Sequence, residues 1–347
     1  MRKTVYSGIF LILSAVCSSL LSTSAATATP PAEALWVANG GYISVFDDSA
    51  LQSSGTPDAS LVFSVRDYLL PLAIAINPRR NLWIANLSER KPNKAIFEVR
   101  HAKISHAGAK AVNPKLVTPV GPGVAGHSFI GLAFDSNGNL WIASGVGQIF
   151  ELEPNQFGRR HPRPAIVIGP GPFFGAIRFD PSNNLWANAS NTQLWRFPQN
   201  DRATPDLIVH LPPNFGIQDL AFDGSANLWV AGADFSTPSP GVEILMIPAA
   251  VLSGSGEITP PIATTITSAA FGSESGLPAG LCVGGIDFDQ SGNLWASTAC
   301  NPPALIAFTP GQQSTGGDLL PSITISPNSS KTNIGGPGPI RFGPAIN

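Results

Sequence analysis

The chain of 347 residues is 43% hydrophobic and only 12% charged, with 35 glycines and 33 prolines, and it is long enough to bury a large core. A formal net charge of −2 argues against nucleic acid as its partner, because phosphate binding needs a basic face. No long polar or charged tract marks disorder, and many turn formers joining short apolar runs give the composition of an all-β fold.

In chain order, Arg2 and Lys3 precede an apolar run from Val5 to Val16 and then small residues of Ala-x-Ala character at Ala26 to Ala28. This is the layout of a secretory signal peptide over residues 1–28, too short for a stable membrane span. Cleavage is expected near Ala25 to Ala28, leaving a secreted or periplasmic protein without a transmembrane segment. Lipid attachment at Cys17 is disfavoured by Val16 beside it.

The rest, residues 29–347, is built on one phrase. It occurs as AIAINPRRNLWIAN from Ala73, GLAFDSNGNLWIAS from Gly131, AIRFDPSNNLWANA from Ala176, DLAFDGSANLWVAG from Asp219 and GIDFDQSGNLWAST from Gly285. Six of the 7 tryptophans (Trp36, Trp83, Trp141, Trp186, Trp229 and Trp295) occupy one slot of it, at intervals of 43 to 66 residues, the period of propeller blades. Within each copy a strand ends at Asp or Asn, a polar turn follows, and Asn-Leu-Trp opens the next strand. The Asp carboxylate can accept turn N–H groups, and the following Gly or Asn tolerates the left-handed conformation. A register centred on Asn137 sets Phe134 against Leu140, Leu132 against Ile142 and Ala133 against Trp141.

A third strand follows each hairpin (AIFEVR, GQIFELE, QLWRFP) and then an outer one (PKLVTPV, PAIVIGP, PDLIVHL). The chain after the signal opens with ALWVAN, the second half of a repeat, and closes with GPIRFGPA, the first half. Pairing Ile340 to Phe342 with Leu35 to Ala38 completes one blade from both ends. The expected fold is therefore a six-bladed β-propeller of four-stranded blades in one domain, with the ring closed by N- and C-terminal strands.

The phrase (G)-h-x-F-D-x-x-G-N-L-W-V-A resembles the NHL-repeat propellers and their gluconolactonase/SMP-30-like and streptogramin-lyase-like relatives, over essentially all of residues 29–347. That resemblance implies either a binding platform or a metal-dependent hydrolase or lyase acting on a lactone or cyclic peptide. Many NHL repeats end the second strand in Val-x-Asp, whereas here the slots hold Asn39, Asn86, Ser144, Ala189, Gly232 and Thr298, so an acidic ring has become neutral. The lactonases hold a divalent metal with Glu, Asn and Asp, and hard cations need carboxylates. Glu33 before Ala34-Leu35 is a poor match to their glutamate, and His101 and His106, the one metal-like histidine spacing, read as surface. No cofactor is expected under the binding reading, and calcium or zinc only under the enzyme alternative.

Loops entering the inner strands and leaving the second strands converge on one mouth of a propeller channel, the default ligand site. They place Phe129, Phe174 and Phe215 there, with Asn39, Asn86 and Ser144, in surroundings suited to a sugar, lactone or peptide. Packing between blades is the other use of such aromatics. His127 with Asp219 is the one acid–base candidate, across blades that are not neighbours. The inner-strand slot facing each tryptophan holds Ala75, Ala133 and Ala221 in three blades but Arg178, Asp287 and Arg341 in the others. Asp287 and Arg341 in adjacent blades read as a salt bridge stapling the seam, with recognition of an anionic ligand as the alternative.

Cys282 and Cys300 form an even pair in an exported chain, and extending the Phe288–Leu294 register sets them opposite each other, predicting a disulfide. Basic residues cluster at Arg90, Lys91, Lys94, Arg100, Lys103, Lys110 and Lys115 in the second blade and at Arg159, Arg160 and Arg163 in the next, a rim that either solubilises and blunts the outer edge or suits an acidic polysaccharide or an anionic envelope surface. The expected product is a monomeric extracytoplasmic binding module whose ligand is a small molecule, glycan or protein.

Overall fold

The computed structural model describes residues 32–66, 70–87, 96–104, 112–119, 128–236, 241–272, 282–328, 334 and 337–345. The signal segment, His106 and His127 lie outside the described residues. Six antiparallel blades are formed. Blade 1 comprises Pro337–Pro344, Glu33–Asn39, Tyr42–Asp47 and Leu61–Ser64; blade 2 Leu70–Ile76, Leu82–Leu87, Ile96–Val99 and Lys115–Val117; blade 3 Phe129–Phe134, Leu140–Ser144, Gln148–Leu152 and Ile166–Ile168. Blade 4 comprises Ile177–Phe179, Leu185–Ser190, Gln193–Phe197 and Leu207–His210; blade 5 Phe215–Phe222, Leu228–Asp234, Gly241–Ile247 and Thr264–Thr267; blade 6 Val283–Phe288, Leu294–Thr298, Ala304–Phe308 and Ile323–Ile325. The ring closes as the sequence requires, with Leu35 opposite Phe342, Trp36 opposite Arg341 and Val37 opposite Ile340.

The repeated phrase folds as a clasp. In blade 3, Asp135 Oδ1 accepts the backbone N–H groups of Asn137 at 2.9 Å and Asn139 at 2.8 Å, while Oδ2 accepts the Asn139 amide at 3.0 Å and the Trp141 indole at 3.1 Å. Asp180, Asp223 and Asp289 hold Trp186, Trp229 and Trp295 in the same way, at 3.0, 2.9 and 2.9 Å. The fourth residue of each turn is left-handed: Arg80, Gly138, Asn183, Ala226 and Gly292 have φ between 60° and 79°, where a side chain with Cβ costs about 1 kcal/mol.

The indoles pack against the blade that follows. Trp83 meets Phe134, Trp141 meets Phe179, Trp186 meets Phe222, Trp229 meets Phe288 and Trp295 meets Phe342, with ring centroids 5.9 to 6.4 Å apart. All six tryptophans are buried, so the ring core is a relay of indole on phenyl, each pair adding roughly 1 kcal/mol beyond its buried area.

The inner hairpins keep the expected register near the turn (Leu132 opposite Ile142, Ala133 opposite Trp141) but slip by one residue further along, between Phe129 and Gly131. Blades 2, 5 and 6 slip at the same place. The bulge corrects the cysteine register: Val283 pairs with Thr298, and Cys282 accepts the Ala299 N–H at 2.6 Å, so Cys282 faces Ala299 rather than Cys300. The Cys282–Cys300 disulfide forms nonetheless, because its Cα atoms are 4.9 Å apart, within bridging range.

Two tryptophans lack the clasp. Blade 1 has Gly343 and blade 2 has Asn77 at the aspartate position, and the buried Trp36 and Trp83 indole nitrogens have no hydrogen-bond partner. Asn77 Oδ1 accepts only the Asn81 N–H, and its amide nitrogen cannot accept. Asn77→Asp is expected to stabilise the fold by about 1 kcal/mol in denaturant unfolding, the value of one satisfied buried donor, whereas Asp135→Asn destabilises it by a similar amount.

Across the seam, Glu33 accepts the Gln290 N–H at 2.9 Å. Burial pushes its carboxyl up to about 7, aided by Asp287, Asp289 and Asp48 and opposed by that hydrogen bond. A carboxyl whose folded value exceeds its unfolded value supports the fold most at low pH and loses that contribution as pH rises from about 4.5 to about 7. Glu33→Gln is expected to raise the melting temperature relative to the wild type at pH 8 and to leave it nearly unchanged at pH 4, by calorimetry across pH.

Candidate ligand site in the central channel

Because strand side chains alternate, one inner-strand residue per blade faces its tryptophan partner's strand and points into the channel. That layer is Ala75, Ala133, Arg178, Ala221, Asp287 and Arg341. Two residues earlier on each strand a second layer holds Ala73, Gly131, Ala176, Asp219, Gly285 and Pro339. Four small residues, one proline and one aspartate leave room for Asp219 at the ring's centre.

Asp219 is the hub of the channel. Its Oδ2 receives Arg178 Nη2 at 3.2 Å, Arg341 Nη1 at 3.1 Å and the Ile286 N–H at 3.0 Å, and its Oδ1 receives Arg341 Nη2 at 3.4 Å. The three side chains are 6 to 12% exposed. Burial pushes the Asp219 carboxyl up, but Arg178, Arg341 and the Ile286 N–H together hold it below the usual carboxylate range. Burial, with Arg341 nearby, pushes the Arg178 guanidinium down to about 10.

The expected pairing of Asp287 with Arg341 is corrected. Asp287 staples the seam through the backbone, its Oδ2 accepting the Phe342 N–H at 2.7 Å, while Arg341 goes to Asp219. A guanidinium on a long stem can reach past its neighbour to a carboxylate in another blade. Arg178, from blade 4, converges on the same carboxylate. Burial raises the Asp287 carboxyl, and the nearby Arg341 and Arg178 offset only part of that.

Beside this cluster is a cavity of about 250 Å³ whose walls include Ala75, Ala133, Arg178, Asp287 and Arg341. Its rim is Ile76, Phe134, Phe179 and Phe342, residues that end their inner strands or lie near the hairpin turns. The concavity is thus toward the turn end of the channel, away from the mouth favoured by the sequence. A larger cavity, of about 370 Å³ between blades 4 and 5, is lined by Arg196 and Asp206. Those two form a structural pair, with both Arg196–Asp206 contacts at 2.8 Å and further bonds to Leu252 and Gly254 carbonyls.

The other expected mouth residues do not line an opening. Phe129, Phe174 and Phe215 are 4, 0 and 2% exposed; Phe129 stacks edge-on with Phe150 and Phe174 with Trp195 and Phe197. Asn39, Asn86 and Ser144 are fully buried. Asn39 donates to Ser44 at 3.2 Å, Asn86 accepts the Leu70 N–H at 3.1 Å and Ser144 accepts the Val146 N–H at 3.3 Å. These polar side chains close strand ends instead of facing solvent. His127 lies outside the described residues, and among the described residues no group of three His, Cys, Asp or Glu side chains is gathered to hold a metal.

The sequence matches no protein-family model and no curated protein. Its likeness is to solved propellers. A protein of unknown function from Bacteroides caccae is 12% identical, with 90% of this chain and 98% of that chain covered and a TM-score of 0.55. The WD40 repeats of RRP9 are 12% identical over 85% of this chain and 78% of theirs, with a TM-score of 0.53. Virginiamycin B lyase from Staphylococcus aureus is 14% identical over 78% and 73%, with a TM-score of 0.46. At these identities the likeness is one of fold alone.

Removing the hub charge leaves two buried guanidiniums facing each other. Asp219→Asn is therefore expected to destabilise the protein by about 3 kcal/mol, measured by denaturant unfolding at pH 7, and Arg178→Met in the same background to recover part of the loss.

Proposed function

We propose that the chain is an exported NHL-like binding module whose channel cavity takes a small anionic ligand of the sugar-acid class, with Arg178 and Arg341 as the groups that read its carboxylate. The observation carrying this reading is the convergence of both guanidiniums at a cavity of about 250 Å³ rimmed by Phe134, Phe179 and Phe342. Apolar ring edges suit a sugar ring, and guanidiniums suit a carboxylate. Asp219 neutralises one positive charge. The second is balanced by Asp287, whose raised carboxyl releases the guanidiniums to an incoming anion when it takes up a proton.

Binding is favoured over the hydrolase or lyase alternative because Asp219 already accepts two arginines and the Ile286 N–H, and a carboxylate so engaged is a poor proton acceptor. Export is supported by the signal-like segment and by the Cys282–Cys300 disulfide, a bond of oxidising compartments. Among the described residues no helix is long and apolar enough to cross a membrane.

The test is isothermal titration with glucuronate and, in parallel, glucose. Glucuronate is expected to bind more tightly than glucose, more tightly at pH 5 than at pH 8, and not measurably to Arg341→Met. Equal binding of both sugars, or none of either at both pH values, contradicts the proposal.

A further inference from the structure

In five blades the outer strand is not a free edge. The connection between the third and outer strands of one blade lays a segment alongside the outer strand of the blade before it. Gly256–Ile258 pairs in parallel with Leu207–His210 of blade 4, and Gly317–Asp318 with Thr264–Thr267 of blade 5. Gly55 bridges the outer strand of blade 6 and Val112 that of blade 1, both in parallel, and Arg160 accepts the Thr118 N–H at the end of blade 2.

Blade 3 is the exception. Among the described residues no backbone group bonds to the outward side of Ile166–Ile168, and the blade 4 connection that would cover it turns away, sending Arg202 over the Trp141 and Phe179 rings. The covered strands fix which groups face out. In blade 4 the residue entering the strand donates inward (Asp206 N–H to Arg196) and offers its carbonyl outward to the Gly256 N–H at 2.7 Å. Blade 3 has the same entry, with Ala165 N–H donating to Glu151 at 2.9 Å, so alternation turns the Val167 N–H and C=O outward. Ile166 and Val167 are 37 and 44% exposed, a bare apolar pair on an unpaired edge.

The charge around this edge selects its partner. Arg159, Arg160, His161 and Arg163 are exposed on the segment leading into it, against Glu153 and Asp201 on the flanking segments. Two of the chain's own covering segments place an acidic residue where they pair: Glu257 reaches His210 at 3.1 Å on blade 4, and Asp318 lies opposite Thr267 on blade 5. A second copy of this chain would set two arginine-rich segments side by side, and residues 1–31 contain no Asp or Glu.

We propose that the outer edge of blade 3 is a docking site for an extended acidic segment of another protein, added as a parallel fifth strand along Ile166–Ile168, with its carboxylates on Arg159, Arg160 and Arg163. Three residues of pairing suffice by the protein's own standard, since its internal fifth strands are two and three residues long. Main-chain bonds supply the affinity and the flanking charges the selectivity.

The test uses the full mature chain and a fluorescein-labelled peptide, Gly-Glu-Val-Glu-Val-Glu-Gly, in fluorescence anisotropy at low salt. Its expected binding slows hydrogen exchange at the Val167 amide. Val167→Pro, which removes the outward donor at a position where an edge strand tolerates proline, is expected to weaken it about tenfold. Arg159→Glu with Arg163→Glu, which leaves the strand untouched, is expected to weaken it at least as much. A peptide with proline for valine carries the same charge but cannot pair. If it binds as tightly, or a polyuronate displaces the signal while Val167 exchange is unchanged, the edge is a polyanion patch and the proposal fails. It also fails if both folded variants bind like the wild type, or if sedimentation shows a dimer that protects Val167.

Discussion

In blades 3 to 6 a single carboxylate organises the ring. The aspartate that ends the inner strand there satisfies turn N–H groups, an asparagine amide and an indole at once, donors that would otherwise be buried unpaired. The same indole packs against a phenyl ring of the next blade, so the turn and the contact between blades share one side chain. The clasp is absent at Trp36 and Trp83, in blades 1 and 2; in blade 1 the strand pairing between the two chain ends holds the hairpin position that a turn occupies elsewhere.

The channel inherits its character from that arrangement. Once the tryptophan layer is fixed, the residues opposite it become the channel wall, and small side chains there are the default because six strands crowd toward one axis. Arg178, Asp287 and Arg341 depart from that default, and Asp219 is accommodated by Ala221 below it and by Gly285 in the next blade, where a Cβ would come within 3.1 Å of its carboxylate. Asp287 and Arg341 serve ring closure and carry the one chemically distinctive surface. Under the proposed function, stability and ligand recognition would draw on the same charges.

Most of the architecture was legible in the sequence because it is written as a repeat: the turn chemistry, the hairpin register, the blade count and the closure are all local or periodic signals. The bulge was not legible, since it falls where the inner strand has lost its alternation, and it shifted the cysteine register by one without preventing the bond. At the channel, the odd charges stood out against Ala75, Ala133 and Ala221, but their partners did not, because an arginine stem spans more than one blade. The signal for Asp219 was present: it is the charged member of a layer of Ala, Gly and Pro residues. The aromatic mouth was misplaced because a phenylalanine entering an inner strand can face the channel or the next blade, and blade packing took Phe129, Phe174 and Phe215.

The proposed function rests on a proton-linked charge balance in the channel, ready for an anion. The most direct measurement is carbon NMR of the side-chain carboxyls in protein labelled at aspartate, titrated in pH with and without a saturating sugar acid. Asp219 is expected to titrate below and Asp287 above the ordinary carboxylate range, and the anion to move Asp287 further up. An Asp287 resonance that titrates in the ordinary range and ignores the anion would contradict it.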